Sequence, residues 1–246
     1  MFTAMSPIKT SLRFAALGFV AAILVTGVAL MQRDLDPSLR PVMAESQITL
    51  PDGRALWAQR YEVTIAEWNI CVAENACTLF LWARPDQNPA QTPATGLSYT
   101  DVQEYVAWIN ARTGQYYRLP TATEWNHMAA SVLPEKPDPI FTDPALTWAS
   151  TYLTEGAKPR ALKAQGSFST SPEGVADLDG SVWEWTTECY DGSTSALAND
   201  HCPAFFVGGE HLAVMSYLIR DPARGGCAVG APPAHLGMRL VADKPA

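Results

Sequence analysis

The chain has 246 residues, 17 of them basic and 25 acidic, for a formal net charge of −8 at pH 7. Lys9 and Arg13 precede an apolar segment, and without them 15 basic residues face the 25 acidic ones. That surplus argues against nucleic acid and anionic membrane surfaces as partners, while 8 Trp and 19 Pro argue for a loop-rich body pinned by aromatic anchors rather than a helical bundle.

The first predicted element is the run from Phe14 to Met31, which carries no charge. As a helix it would be about 27 Å long, close to the roughly 30 Å apolar core of a bilayer. Lys9 and Arg13 place its N-terminal side in the cytoplasm. Residues 1–33 read either as a signal peptide cut after Gly27-Val28-Ala29 or as a retained membrane anchor. Both readings put the remainder on the periplasmic side of the cytoplasmic membrane. Residues 34–46, with Pro37, Pro41 and mixed charge, read as a linker, and residues 47–243 as one domain large enough for a core of its own.

The domain opens with strand signals at Ile48–Leu50 and Ala55–Val63 around the turn Pro51-Asp52-Gly53. Three helices follow, each with the same start signal. Thr64 precedes Glu67, Ser98 precedes Asp101, and Thr121 precedes Glu124, each by three residues, as in a capping box. The first helix would present Ile65, Trp68 and Val72 on one face. The second would present Val102, Tyr105, Val106 and Ile109 and end at Gly114. The third is expected from Ala122 to Ser131, with Trp125 and Met128 inward. Pro134, Pro137 and Pro139 prevent its continuation. Beyond them, short strands are expected at Val182–Thr186, Phe205–Val207 and Leu236–Val241. Trp183 and Trp185 alternate with Glu184 as on a half-buried strand. The class is α+β with long structured loops.

Cysteine use fits an oxidising compartment. Cys71 and Cys77 could close one local loop, Cys189 and Cys202 another, and Cys227 is left over.

Several segments form a pattern in order. They are Tyr61-Glu62-Val63-Thr64, Gly96-Leu97-Ser98-Tyr99, Arg118-Leu119-Pro120-Thr121 with Glu124-Trp125, Asp179-Gly180-Ser181-Val182-Trp183-Glu184-Trp185, Gly208-Gly209 and Leu236-Gly237-Met238-Arg239. The pattern resembles the formylglycine-generating enzyme family, also called the sulfatase-modifying factor domain. The resemblance implies a loop-rich variant of the C-type-lectin-like fold. It also implies disulfides Cys71–Cys77 and Cys189–Cys202, with Cys227 as a free thiol. By the same resemblance, calcium would be held by Asp177, the Gly180 and Val182 carbonyls, and Glu184, which are hard-oxygen ligands.

The resemblance breaks at the chemistry. Family enzymes oxidise a substrate cysteine to formylglycine with a pair of cysteines that bind Cu(I), and soft thiolates suit that ion. The corresponding positions here hold Ala213 and Leu218, and Glu210 stands where a serine usually follows the glycines. Copper is therefore not expected, and no catalytic residue is assigned. The alternative is altered chemistry at Cys227, with His211, Met215, His235 and Met238 near it in sequence. The leading expectation is a noncatalytic accessory or maturation factor for another exported protein. The tail Gly226-Cys227-Ala228-Val229-Gly230-Ala231-Pro232-Pro233, followed by His235-Leu236-Gly237, resembles NirV-type accessory proteins. That resemblance implies copper nitrite reductase as the partner.

Overall fold

The computed structural model describes residues 35–133, 161–190, 202–210, 212–221 and 235–245. The Phe14–Met31 run, Cys227 and His211 lie outside them. Among the described residues no helix is long and apolar enough to cross a membrane.

Two four-stranded sheets and three helices make up the described body. The first sheet joins β1 (Ile48–Thr49), β2 (Ala55–Ala58), β8 (Val241–Ala242) and β3 (Tyr117–Arg118) in the order β1-β2-β8-β3. All of its pairings are antiparallel, with Trp57 opposite Ala242 and Arg118 opposite Val241. The second joins β6 (Ala213–Ser216), β5 (Ala204–Gly208), β4 (Val182–Cys189) and β7 (His235–Gly237) in the order β6-β5-β4-β7. Here β4 runs parallel to β7 and antiparallel to β5.

All three helix starts form as the sequence dictates. Thr64, Ser98 and Thr121 accept the N–H of Glu67, Asp101 and Glu124, and each carboxylate reaches back to its cap N–H. These starts satisfy donors that would otherwise be orphaned. Helix α1 (Ile65–Ala73) buries Ile65, Trp68 and Cys71, with Val72 partly covered. Helix α2 (Tyr99–Thr113) buries Val102, Tyr105, Trp108 and Ile109 and stops at Gly114, whose φ of 67° is left-handed. Helix α3 (Ala122–Ala129) ends two residues before the expected Ser131.

Three expectations are corrected. Ala55–Val63 is a strand only to Ala58, because the chain then turns its Gln59 and Arg60 carbonyls toward a buried side chain, Arg239. The Leu236–Val241 run divides into β7 and β8, which belong to different sheets. Residues 35–46, read from composition as a linker, lie against the body. Ala44 is buried and its N–H reaches the Ala58 carbonyl at 2.8 Å, while Leu39 and Met43 pack on the core. Strand β6 carried no sequence signal and pairs along its whole length with β5.

Two apolar clusters fill the interior. The larger gathers Trp68, Trp108, Trp183 and Trp185 with Leu97, Tyr105 and Leu236. The smaller gathers Trp125, Leu56, Leu178 and Val241.

Candidate functional site

The centre of the molecule is a charge cluster between those apolar clusters. Strand β4 contributes Trp183, Glu184 and Trp185. The alternation expected of a half-buried strand does not hold, because Glu184 is as buried as its neighbours. Its face is covered by Arg239 and Trp125. The Arg239 guanidinium donates to Glu184 Oε1 at 2.8 Å and 3.1 Å, and Trp125 Nε1 donates to Oε2 at 2.8 Å. Arg239 also donates to the carbonyls of Gln59 (3.0 Å), Arg60 (2.7 Å) and Ala176 (2.9 Å). One side chain thus ties two other segments, at Gln59-Arg60 and at Ala176, to β4. It has no solvent exposure, so each of those bonds replaces water it has lost.

Glu62 is the third member. Its Oε2 lies 3.7 Å from Arg239 and takes no hydrogen bond. Burial pushes its carboxyl up to about 8; Arg239 opposes the shift and Glu184 adds to it. Sequence inspection singled out Tyr61-Glu62-Val63-Thr64 as a motif but gave Glu62 no role, since its partners lie far away along the chain.

The calcium positions are brought into one neighbourhood. Asp177 has a φ of 65° and its carboxylate accepts the N–H groups of Gly166 and of Phe168 (2.8 Å). The Gly180 N–H closes the turn onto the Asp177 carbonyl at 2.8 Å. Val182 begins β4. The donor set has the hard-oxygen chemistry calcium wants, but both carboxylates already serve protein donors. Among the described residues no group of three or more His, Cys, Asp or Glu is arranged to hold a metal ion.

The Gly208-Gly209 pair is explained by packing. A Cβ on Gly208 would lie 2.1 Å from the Trp125 ring, and one on Gly209 would lie 2.3 Å from the Trp183 ring. No side chain fits at either position.

The two positions to which the family resemblance assigns reactive thiols, Ala213 and Leu218, lie on and beyond β6. Ala213 is half-buried opposite Val207, and Leu218 is 60% exposed in the turn after the strand. That turn is fastened to the start of α2. The Tyr99 N–H donates to the Tyr217 carbonyl at 3.0 Å, and Arg220 grips Asp101 at 2.6 Å and 2.7 Å. Burial raises the Asp101 carboxyl, but its bonds from Arg220 and Ser98 prevail and hold it below its usual range. The Tyr99 ring stacks on Phe205. Met215 and Met238 are core residues, and His235 sits in β7.

Both expected disulfides are present, Cys71–Cys77 and Cys189–Cys202. The second ties β4 to the chain just before β5.

The family model described as the sulfatase-modifying factor enzyme 1-like domain matches residues 21–244. The formylglycine-generating enzyme of Mycobacterium tuberculosis is 25% identical over 258 residues, which is 92% of this chain and 83% of that protein. The inactive C-alpha-formylglycine-generating enzyme 2 of Bos taurus is 30% identical over 117 residues, which is 41% of this chain and 34% of that protein. The structure of PvdO from Pseudomonas aeruginosa shares the fold, with a TM-score of 0.52 and 17% identity over 85% of this chain and 96% of that one.

Proposed function

The chain belongs to the family of the sulfatase-modifying factor enzyme 1-like domain, and on that premise we propose that it is a noncatalytic member. The observation that carries this reading is chemical. The positions that the family resemblance assigns to a reactive thiol pair hold Ala213 and Leu218. Neither side chain can ligate Cu(I) or exchange a disulfide. The chain then acts on the periplasmic side of the cytoplasmic membrane as an accessory or maturation factor for another exported protein. Copper nitrite reductase is the partner its tail suggests. The architecture proposed with this reading is the C-type-lectin-like variant. Calcium at Asp177, Gly180, Val182 and Glu184 is what the family resemblance would add, and the ion pair between Glu184 and Arg239 stands against it.

The second reading is an oxidoreductase of altered, Cys227-dependent chemistry. The favouring observation is the 25% identity to a formylglycine-generating enzyme across 92% of this chain. A cysteine peptide from a sulfatase separates the two. Incubated with the full-length chain and Cu(I), it should remain a thiol; aldehyde that disappears in Cys227→Ser would establish the second reading. Titration of copper nitrite reductase with the chain should give saturable binding, and absence of binding would remove that partner.

A further inference from the structure

The cluster around Arg239 holds one guanidinium and three nearby acids, Glu184, Asp177 and Glu62. Glu184 takes the close bonds of Arg239, and Asp177 takes two backbone N–H groups. Glu62 is the surplus acid. It is 2% exposed, and its Oε2 has no hydrogen-bond partner.

Glu62 lines a cleft of about 290 Å³, near the lower end of the range for small-ligand sites. The apolar wall of the cleft is made by Val42, Tyr61, Ala66 and Ile70. Val42 and Ile70 are exposed at 66% and 40%. The polar lining includes Glu62 and Glu67 and contains no base. Arg60 lies 5.4 Å from the Tyr61 ring centroid and is paired with Glu45 at 3.0 Å. Lys163 lines a smaller adjoining cavity that shares Glu62 and Gln165 with the cleft.

We propose that this cleft binds an alkyl cation, with the ammonium or guanidinium head against Glu62 and the aliphatic stem along Val42, Tyr61 and Ile70. The chemistry follows from the lining. A buried carboxylate oxygen without a donor is costly, and a cation supplies both a donor and a further countercharge. An aliphatic stem gains from covering exposed apolar side chains. The head can come from a free amine or from a lysine or arginine side chain of a partner protein.

Binding also draws a proton from Glu62, whose carboxyl burial holds up near 8. Of the charged groups acting on it, Arg239 favours that ionisation, while Glu184 and Asp177 disfavour it. Affinity therefore rises with pH up to about 8 and levels above it.

The test is calorimetric titration of the full-length chain in nonionic detergent with n-pentylamine, with neutral 1-pentanol, and with the peptide acetyl-Ala-Lys-Ala-amide. The amine or the peptide should bind at pH 9 with at least about tenfold greater affinity than at pH 6, and 1-pentanol should bind more weakly. Tighter binding of the peptide assigns the site to a partner's side chain, and tighter binding of the amine assigns it to a small molecule. Glu62→Gln should abolish the preference for the cation. Ala66→Leu, which fills the cleft and leaves Glu62 in place, should abolish binding altogether. Equal binding of amine and alcohol, or no binding of either cation, would overturn the proposal, whether or not the chain is catalytic.

Discussion

The interior around Arg239 and the surface around Leu218 lie in the same sheet system and have been treated differently. In the interior Arg239, Glu184 and Trp125 are each specified by several contacts. Arg239 meets Glu184 and three carbonyls, Trp125 meets both Glu184 and the bare backbone of Gly208, and neither glycine could carry a methyl group. At the surface, Tyr217 and Arg220 are fastened to α2, yet Leu218 between them is exposed and under no such constraint. A tightly specified interior thus sits beside a surface turn that leaves Leu218 free to vary. On the noncatalytic reading proposed above, the family's framework is kept in the first region and its chemistry is missing from the second.

The largest effect should come from breaking the interior. Arg239→Met leaves Glu184 and Glu62 buried without their cation and should cost about 3–5 kcal/mol, read as a fall in the urea midpoint. Failure to lower it would mean that the cluster does not hold the sheets together.

Glu62 sharpens the same point through pH. Its folded value of about 8 lies above its ordinary 4.5. The folded chain thus binds the extra proton, so its contribution is complete below about 4.5 and is lost progressively as pH rises to about 8. Glu62→Gln removes that dependence. Its stability relative to the unsubstituted chain should climb between pH 5 and pH 8 and level off above, by urea titration at each pH. Parallel curves would contradict the assignment.

Calcium tests whether Arg239 is the sole countercharge for Glu184. With the Glu184 and Asp177 carboxylates already bonded, a chelator should leave Tm unchanged. A clear fall would establish the calcium site and require the charge cluster to be shared with a metal. The smallest effect belongs to the surface, where Leu218→Ser should change stability by no more than about 0.5 kcal/mol. A larger loss would show that this turn is constrained like the interior.

Local signals in the sequence carried the helices. Ser98 with Asp101 and Gly114 bracketed α2 because caps are decided by residues three or four apart. Long-range contacts were hidden. Nothing near Arg239 in sequence reveals that its carboxylate partner lies 55 residues away, and so the run through Leu236 and Val241 read as one strand. The segment 34–46 read as a linker because Pro and charge dominate it; the packing of Leu39, Met43 and Ala44 depends on surfaces built later in the chain. At the candidate site the motifs marked Glu184, Gly208 and Gly209, and the family resemblance marked Ala213 and Leu218. The cleft beside Glu62 was not legible, since α1, the segment Gln59 to Glu62 after β2 and the loop around Gln165 create it only on folding.

A framework that survives without the family's chemistry would leave a substrate cysteine untouched. This is tested most directly by mass spectrometry of a sulfatase-derived cysteine peptide after incubation with the full-length chain, Cu(I) and oxygen. The peptide should be recovered with its cysteine intact; conversion to the formylglycine aldehyde above a protein-free control would contradict the noncatalytic reading.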